Sequence, residues 1–316
     1  MRDRRGFALM AALWLLVAFA AIGLELGLRS RAARLGIANR IETTRVLAAA
    51  DGGLQEARAR LTRGLVAGQD ARSTDAETML DPWRTPQRLF RDSLRLGGVH
   101  VRVRISDAGA ALDLNTADVD ELRRLFGALR VDFGQADRLA QAIADWRDPD
   151  NLRRARGAEA ADYARAGLTT RPGNRPFARL IELAEVFGMT PALYAKISPF
   201  LTVRGAGRVN LNAAPRPVLL ALPGMSEETV RVLLGRRAAG RPVHQLGELS
   251  LALTSGAREL LLANQVALMN RTTFDTRDVV VTSEGWLDGS PVRARVEAEM
   301  VRAGGEAVVV WTGTPR

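Results

Sequence analysis

Residues 1–25 read MRDRRGFALMAALWLLVAFAAIGLE, and the order of their parts decides how the chain is built. Arg2, Asp3, Arg4 and Arg5 lead to Gly6, an uncharged apolar run extends from Phe7 to Leu24, and Glu25 closes it. A secretory signal places its small-residue cleavage site after the apolar stretch, which is then discarded. Here the small residue comes first, so a cut at Gly6 keeps the apolar stretch on the mature chain. At 1.5 Å per residue the run spans roughly 27 Å, close to the roughly 30 Å of bilayer hydrocarbon. The reading is a protein held in a membrane by one N-terminal helix; an uncleaved signal anchor is the other reading of these residues. Arg29, Arg31 and Arg34 follow the run, so positive charge flanks both ends and gives little guide to orientation.

Working outward, nothing breaks a helix between Phe7 and about Thr62: no proline occurs and glycine is sparse. Past Glu25 the pattern turns one-sided, with Leu35, Ile37, Ile41, Val46, Leu47, Leu54 and Leu61 recurring among charged residues at helical spacing. The spacing predicts one helix of about 55 residues, roughly 80 Å long, with its second half packed on a globular head. Gly64, Gly68, Pro82 and Pro86 predict loop and a short helix over 64–97. Val99, Val101, Val103 and Ile105 alternate with His100, Arg102 and Arg104, the pattern of a half-buried strand. Asp278–Leu287, Pro291–Val301 and Glu306–Thr312 predict three more strands joined by Gly-containing turns at Gly289 and Gly304-Gly305, an antiparallel meander.

The stretch between the first strand and the meander shows helical periodicity and an internal echo. Leu112-Asp113-Leu114-Asn115-Thr116-Ala117 returns as Val209-Asn210-Leu211-Asn212-Ala213-Ala214, each copy followed by a Leu-rich helix. Asn115 or Thr116, and Asn212, are expected N-caps, with Asp118, Asp120 and Glu121, or Pro215, in the first turns. The fold class is α+β: a long N-terminal helix, a small antiparallel sheet, and a large all-α domain inserted between strands.

Composition excludes several functions. With no cysteine there is no disulfide framework, thiol chemistry or cysteine metal site. His100 and His244 are the only histidines, and no Gly-x-Ser-x-Gly occurs. Lys196 is the only lysine, which removes a phosphate-loop lysine. The chain reads as no enzyme. Its net charge of +10 raises nucleic acid or anionic membrane as partners. Yet residues 1–62 hold ten arginines against five acids, half of that excess, so a membrane-proximal arm accounts for much of it.

The Gly6-Phe7 junction resembles the prepilin leader of type IV pilins and type II secretion pseudopilins. The whole arrangement resembles one branch, the minor pseudopilin K (general secretion pathway protein K) family. Trp146-Arg147-Asp148-Pro149-Asp150-Asn151, Gly157-Ala158-Glu159 with Asp162-Tyr163, Asn174-Arg175-Pro176, Phe187-Gly188-Met189, and Pro199-Phe200-Leu201-Thr202-Val203 are similar to its motifs. The fifth residue after the junction is Ala11, where pilins usually carry Glu. Burying a carboxylate without a partner costs several kcal/mol, so alanine suits a subunit with none above it.

The resemblance implies a prepilin leader 1–6, cut by prepilin peptidase between Gly6 and Phe7 with methylation of Phe7. It implies a transmembrane and filament helix over 7–62, a pseudopilin α/β head from 63–107 and 272–316, and a helix-hairpin-helix or SAM-like domain over 108–271. The location is the bacterial inner membrane, single-pass, with the head in the periplasm. The function is a minor pseudopilin at the tip of the type II secretion pseudopilus. Its partners are minor pseudopilins I and J and other pseudopilus subunits.

Two constellations remain. Val209–Ala214, Leu222-Pro223-Gly224-Met225-Ser226-Glu227-Glu228 and Arg236-Arg237 resemble a helix-hairpin-helix, a DNA-backbone binder. Ser226 can cap the second helix, but Glu227 and Glu228 fill the turn where phosphate would sit. Packing is therefore preferred and nucleic acid disfavoured; a membrane-anchored DNA-binding protein of a competence-like system is the alternative. Asp145, Asp148, Asp150, Glu159 and Asp162 fall within eighteen positions. They read either as an oxygen cage for calcium or as a solvated loop balanced by Arg147, Arg153, Arg154 and Arg156. The resemblance implies calcium here, with Asp148, Asp150, Glu159 and Asp162 as ligands.

Overall fold

The computed structural model describes residues 3–70, 83, 89–90, 93–205, 207–304 and 306–313, leaving out the α1 side chains of 3–9, 11, 28, 30, 32–35, 38 and 64–70. Helix α1 runs unbroken from Asp3 to Asp70, 68 residues and roughly 100 Å. It passes the expected end near Thr62, because Gly64 and Gly68 cost a helix only about 1 kcal/mol each. Most of the loop expected after it, and the side chains of Gly6, Phe7 and Ala11, lie outside the described set. Among the described residues no helix is long and apolar enough to cross a membrane; the Phe7–Leu24 run is outside that set at 7–9 and 11.

Among the described residues five strands form one antiparallel sheet: β1 (Leu94–Leu96), β2 (Val99–Asp107), β7 (Asp278–Trp286), β8 (Arg293–Ala303) and β9 (Glu306–Gly313), in spatial order β1-β2-β7-β8-β9. The register sets Ile105 against Val281 and Val279 against Met300. Strand β1 is too short for alternation to reveal it. One face of the sheet receives α1 through Val46, Ala50, Leu54, Ala57 and Leu61, which recur every three to four residues and pack against Val101, Val103, Val281 and Ala298. The approach is close. A Cβ on Gly53 would lie 2.2 Å from Ser283 Oγ, and one on Gly285 would lie 2.7 Å from the Val46 carbonyl oxygen.

Adjacent strands β2 and β7 are separated in sequence by a helical region. It holds α2 (Val119–Ala128), α3 (Phe133–Arg147), α4 (Ala160–Arg165), α5 (Pro191–Ile197), α6 (Arg216–Ala221), α7 (Glu227–Ala238), α8 (Gly247–Ser250), α9 (Ser255–Ala263) and α10 (Gln265–Arg271). Two short parallel pairs punctuate it, β3 (Leu112–Asp113) with β4 (Leu201–Thr202), and β5 (Val209–Asn210) with β6 (Thr272–Thr273). At the junction with the sheet, Asp107 Oδ2 accepts from Asn210 Nδ2 at 2.6 Å and from the Thr276 hydroxyl, and Oδ1 accepts from Gly109 N at 2.7 Å. Burial raises the Asp107 pKa, and the hydrogen bonds from Thr276, Asn210 and Gly109 oppose that.

The echo is structural, down to single hydrogen bonds. Asn115 Nδ2 donates to Phe177 O (3.0 Å) and Val203 O (3.4 Å) while Oδ1 accepts from Phe177 N (2.7 Å). Asn212 does the same to Val243 O (2.7 Å), Phe274 O (2.9 Å) and Val243 N (2.9 Å). Each asparagine clamps two distant segments beside its parallel strand pair. These residues are therefore not the N-caps expected of them. Asp118 caps α2 in a capping box with Glu121, and α6 begins behind Pro215 with no side-chain cap. The copies join through a bidentate pair in which Arg271 donates to buried Glu121 at 2.8 and 2.7 Å.

Candidate metal centre

Helix α3 has apolar residues on one face and ends at Arg147, where Asp148 turns the chain out with extended dihedrals. The loop from Asp148 returns to α4 at Ala160. Asp145, in the last turn of α3, is fully buried and anchors the loop: Arg154 Nη1 donates to its Oδ1 at 2.7 Å and Arg154 N lies 3.3 Å from its Oδ2. Burial raises the Asp145 pKa; the hydrogen bonds from Arg154 work against that. Gly157 passes so close that a Cβ there would lie 1.9 Å from Asp145 Oδ2. Beneath the loop, Trp146 stacks on Phe177 at 5.9 Å and lies 6.3 Å from Tyr163.

This path brings ligand oxygens of Asp148, Asp150 and Glu159 within 4.8 Å of one another. Asp148 Oδ1 and both Glu159 carboxylate oxygens are buried with no hydrogen-bond partner among the described residues. Burial first, then the charges of Asp145, Asp148 and Asp150, push the Glu159 pKa from 4.5 to about 6. Asp148 Oδ2 pairs with Arg154, and Asp150 Oδ1 accepts from Leu152 N at 2.7 Å. The buried oxygens left without a donor, in a mutually repelling set, fit a cation that prefers carboxylate and amide ligands, such as Ca²⁺. These residues would hold the ion, and its charge would offset their repulsion.

Asp162 does not join the three. Its Oδ2 accepts from Glu159 N at 2.9 Å, and its Oδ1 pairs with Arg165. As the third residue of α4 it is used to begin a helix, which sequence spacing could not separate from ligation. Asn174 is the residue the acid count missed. Its Nδ2 donates to Asp150 O at 3.0 Å and Asn151 Oδ1 at 2.9 Å, and its buried Oδ1 is unpartnered among the described residues. The sequence signal was Asn between Gly173 and Arg175-Pro176, since asparagine tolerates the left-handed backbone it adopts, φ 46°.

The hairpin resembling a DNA grip has its groups engaged elsewhere. Ser226 caps α7 by accepting from Thr229 N at 3.1 Å, as expected. Glu228 accepts from Thr254 N and Oγ1 at 2.8 and 2.7 Å. Arg236 pairs with Glu248 at 2.5 Å, and Arg237 donates to the Ala214 and Ala213 carbonyls at 2.5 and 3.1 Å. These cations tie the second copy together rather than facing a phosphate backbone.

Residues 104–206, which include the whole acidic loop, match the family model for type II secretion system (T2SS), protein K. A putative type II secretion system protein K of Escherichia coli (strain K12) is 27% identical over 190 residues, 54% of this chain and 57% of that protein. Type II secretion system protein K of Pectobacterium carotovorum subsp. carotovorum is 26% identical over 165 residues, 47% of this chain and 49% of its own length. The chain thus spans about half the length of the curated relatives it matches. One chain in the crystal structure of the GspK-GspI-GspJ complex from the enterotoxigenic Escherichia coli type 2 secretion system shares the fold. The TM-score is 0.69 at 19% identity, over 89% of this chain and 99% of that one. The family match falls on the first copy of the internal repeat and its acidic loop, and over that stretch the chain is similar to type II secretion system protein K.

Proposed function

We propose that the chain is a minor pseudopilin at the tip of the type II secretion pseudopilus, assembling with minor pseudopilins I and J to support protein export across the outer membrane. The observation that carries this reading is the architecture of α1: a 68-residue helix whose later part packs on a small antiparallel sheet, with a helical region set between two neighbouring strands. The apolar run suits storage in the inner membrane and then the interior of a filament, while the helical region over 108–271, as a module of its own, would obstruct uniform stacking. A subunit built so belongs at an end. The crystallised relative was solved together with GspI and GspJ, which brings those two subunits here as partners. No catalysis is part of this role. The competence-like DNA alternative finds no support in the relatives.

Full chain co-produced with pseudopilins I and J and extracted in mild detergent is expected to run as one stoichiometric complex in size-exclusion chromatography with light scattering. Regular spacing of this chain along isolated filaments would overturn the tip placement.

Processing follows from the same reading: prepilin peptidase cuts after Gly6, Phe7 is methylated, and the head sits in the periplasm. Intact-mass spectrometry of the membrane-extracted protein is expected to give a mature start at methylated Phe7. Gly6→Ala should leave the precursor uncut. An intact Met1 in the wild type, or a cut beyond Leu24, contradicts the prepilin reading.

A further inference from the structure

Beside the acidic loop, α3 and the returning chain enclose a recess of about 570 Å³. Gln135, Arg138 and Leu139 of α3 form one wall, Arg153, Arg156 and Gly157 of the loop another, and Phe187 and Gly188 close it. Its size lies in the range of roughly 300–1,000 Å³ typical of ligand pockets.

The charge inside is unbalanced. Among the described residues, three guanidiniums approach from two segments, and Asp162 is the only acid in the lining. Asp162 is already held by Arg165 and by Glu159 N, and Arg153 stands 3.8 Å from it. Arg156 Nε reaches Asp137 at 3.4 Å and keeps half its side chain in solvent. Arg138 makes no hydrogen bond or ion pair among the described residues. The recess thus presents guanidinium forks with spare donors beside an apolar surface from Ala155 and Phe187.

A planar guanidinium matches a carboxylate with two parallel hydrogen bonds. A small inorganic anion would satisfy the arginines and leave the apolar surface wet. A polypeptide segment that sets an acidic side chain next to an apolar one satisfies both. We infer that this recess binds an acidic-apolar peptide segment of another polypeptide, its carboxylate on Arg138, Arg153 and Arg156 and its apolar neighbour against Ala155 and Phe187. Such a pocket would let a tip subunit hold a passenger or partner chain; that use rests on the tip reading, whereas the binding does not.

The test is fluorescence anisotropy on the full chain in detergent with a rhodamine-labelled Gly-Leu-Asp-Glu-Phe-Gly peptide. The controls are the Asn-Gln version of the peptide and inorganic phosphate as competitor. The acidic peptide is expected to bind at least about tenfold tighter than its amide twin, as expected for charge-assisted over neutral hydrogen bonds. Arg138→Gln and Arg153→Gln, each at an exposed side chain, should each weaken it about tenfold with melting unchanged. Equal binding of the two peptides overturns the inference, as does an unaffected Arg138→Gln. Displacement by phosphate at concentrations equal to the peptide's assigns the recess to inorganic anions and also overturns it. Should Arg153→Gln alter melting, the Arg138→Gln result decides.

Discussion

Gly157→Ala is expected to destabilise the protein by about 3 kcal/mol and lower its melting temperature by roughly 6–12 °C. The added methyl would lie 1.9 Å from Asp145 Oδ2 and 2.7 Å from its carboxyl carbon. Asp145 has no room to yield: its side chain is fully buried and tied to Arg154. Either the loop moves outward, separating Asp145 from Arg154 and leaving a buried charge unpaired, or α3 shifts in a close-packed core. Gly235→Ala is the opposing control. Gly235 lies inside α7 with open space around its would-be Cβ, so alanine there should stabilise by about 0.5–1 kcal/mol. Thermal melts of the full chain in detergent, followed by tryptophan fluorescence, measure both; Trp146, packed beside the loop, should report locally. A Gly157→Ala protein as stable as wild type would mean that Asp145 does not sit under Gly157.

Calcium should raise the melting temperature by several degrees, and Glu159→Gln should abolish the rise. An ion that binds only the folded state contributes about 2.7 kcal/mol at a hundredfold excess over Kd, or roughly 5–11 °C for a domain this size. Mg²⁺ should do less, because it demands a tight octahedral shell and dehydrates reluctantly. In chelator the same residue gives a pH signature. Glu159 is held near pKa 6 in the fold against 4.5 ordinarily, so between these values the folded chain keeps a proton that the unfolded chain has lost. Its contribution to stability is therefore intact below about 4.5, falls as pH rises to about 6, and stays reduced above. Glu159→Gln removes that decline. Asp107, Asp113 and Asp145, also raised by burial, titrate in both proteins, so the difference between wild type and variant isolates Glu159. Melting indifferent to calcium and to chelator, with parallel pH curves, would reduce these acids to a solvated loop.

Much of this architecture is local and so legible along the chain. The amphipathic spacing of Val46, Leu54 and Leu61 in α1 reads directly, although Ile37, Ile41 and Leu47 of the same series are exposed and Ala50 and Ala57 fill the buried face; the alternation of Val99 to Ile105 in β2 reads directly too. The doubled Leu-Asn motifs announced two copies of one unit. The role of those asparagines did not read. Asn115 and Asn212 looked like caps because capping is a local use, whereas their partners Phe177, Val203, Val243 and Phe274 lie 31 to 88 residues away.

The acidic loop divides in the same way. Sequence alone determined that carboxylates crowd the end of α3 and that arginines stand among them. Only the tertiary structure decided which converge: Asp148, Asp150 and Glu159 meet, with Asp148 Oδ1 and both Glu159 oxygens left without a donor among the described residues, Asp145 shares Arg154 with Asp148 Oδ2, Asp162 is consumed in starting α4, and Asn174 bonds the Asp150 carbonyl from a separate turn. The reason is physical. A carboxylate becomes a ligand, a cap or half of an ion pair according to which donors reach it in space. Those donors are set by how the loop folds over Trp146 and Gly157, which neither periodicity nor spacing encodes.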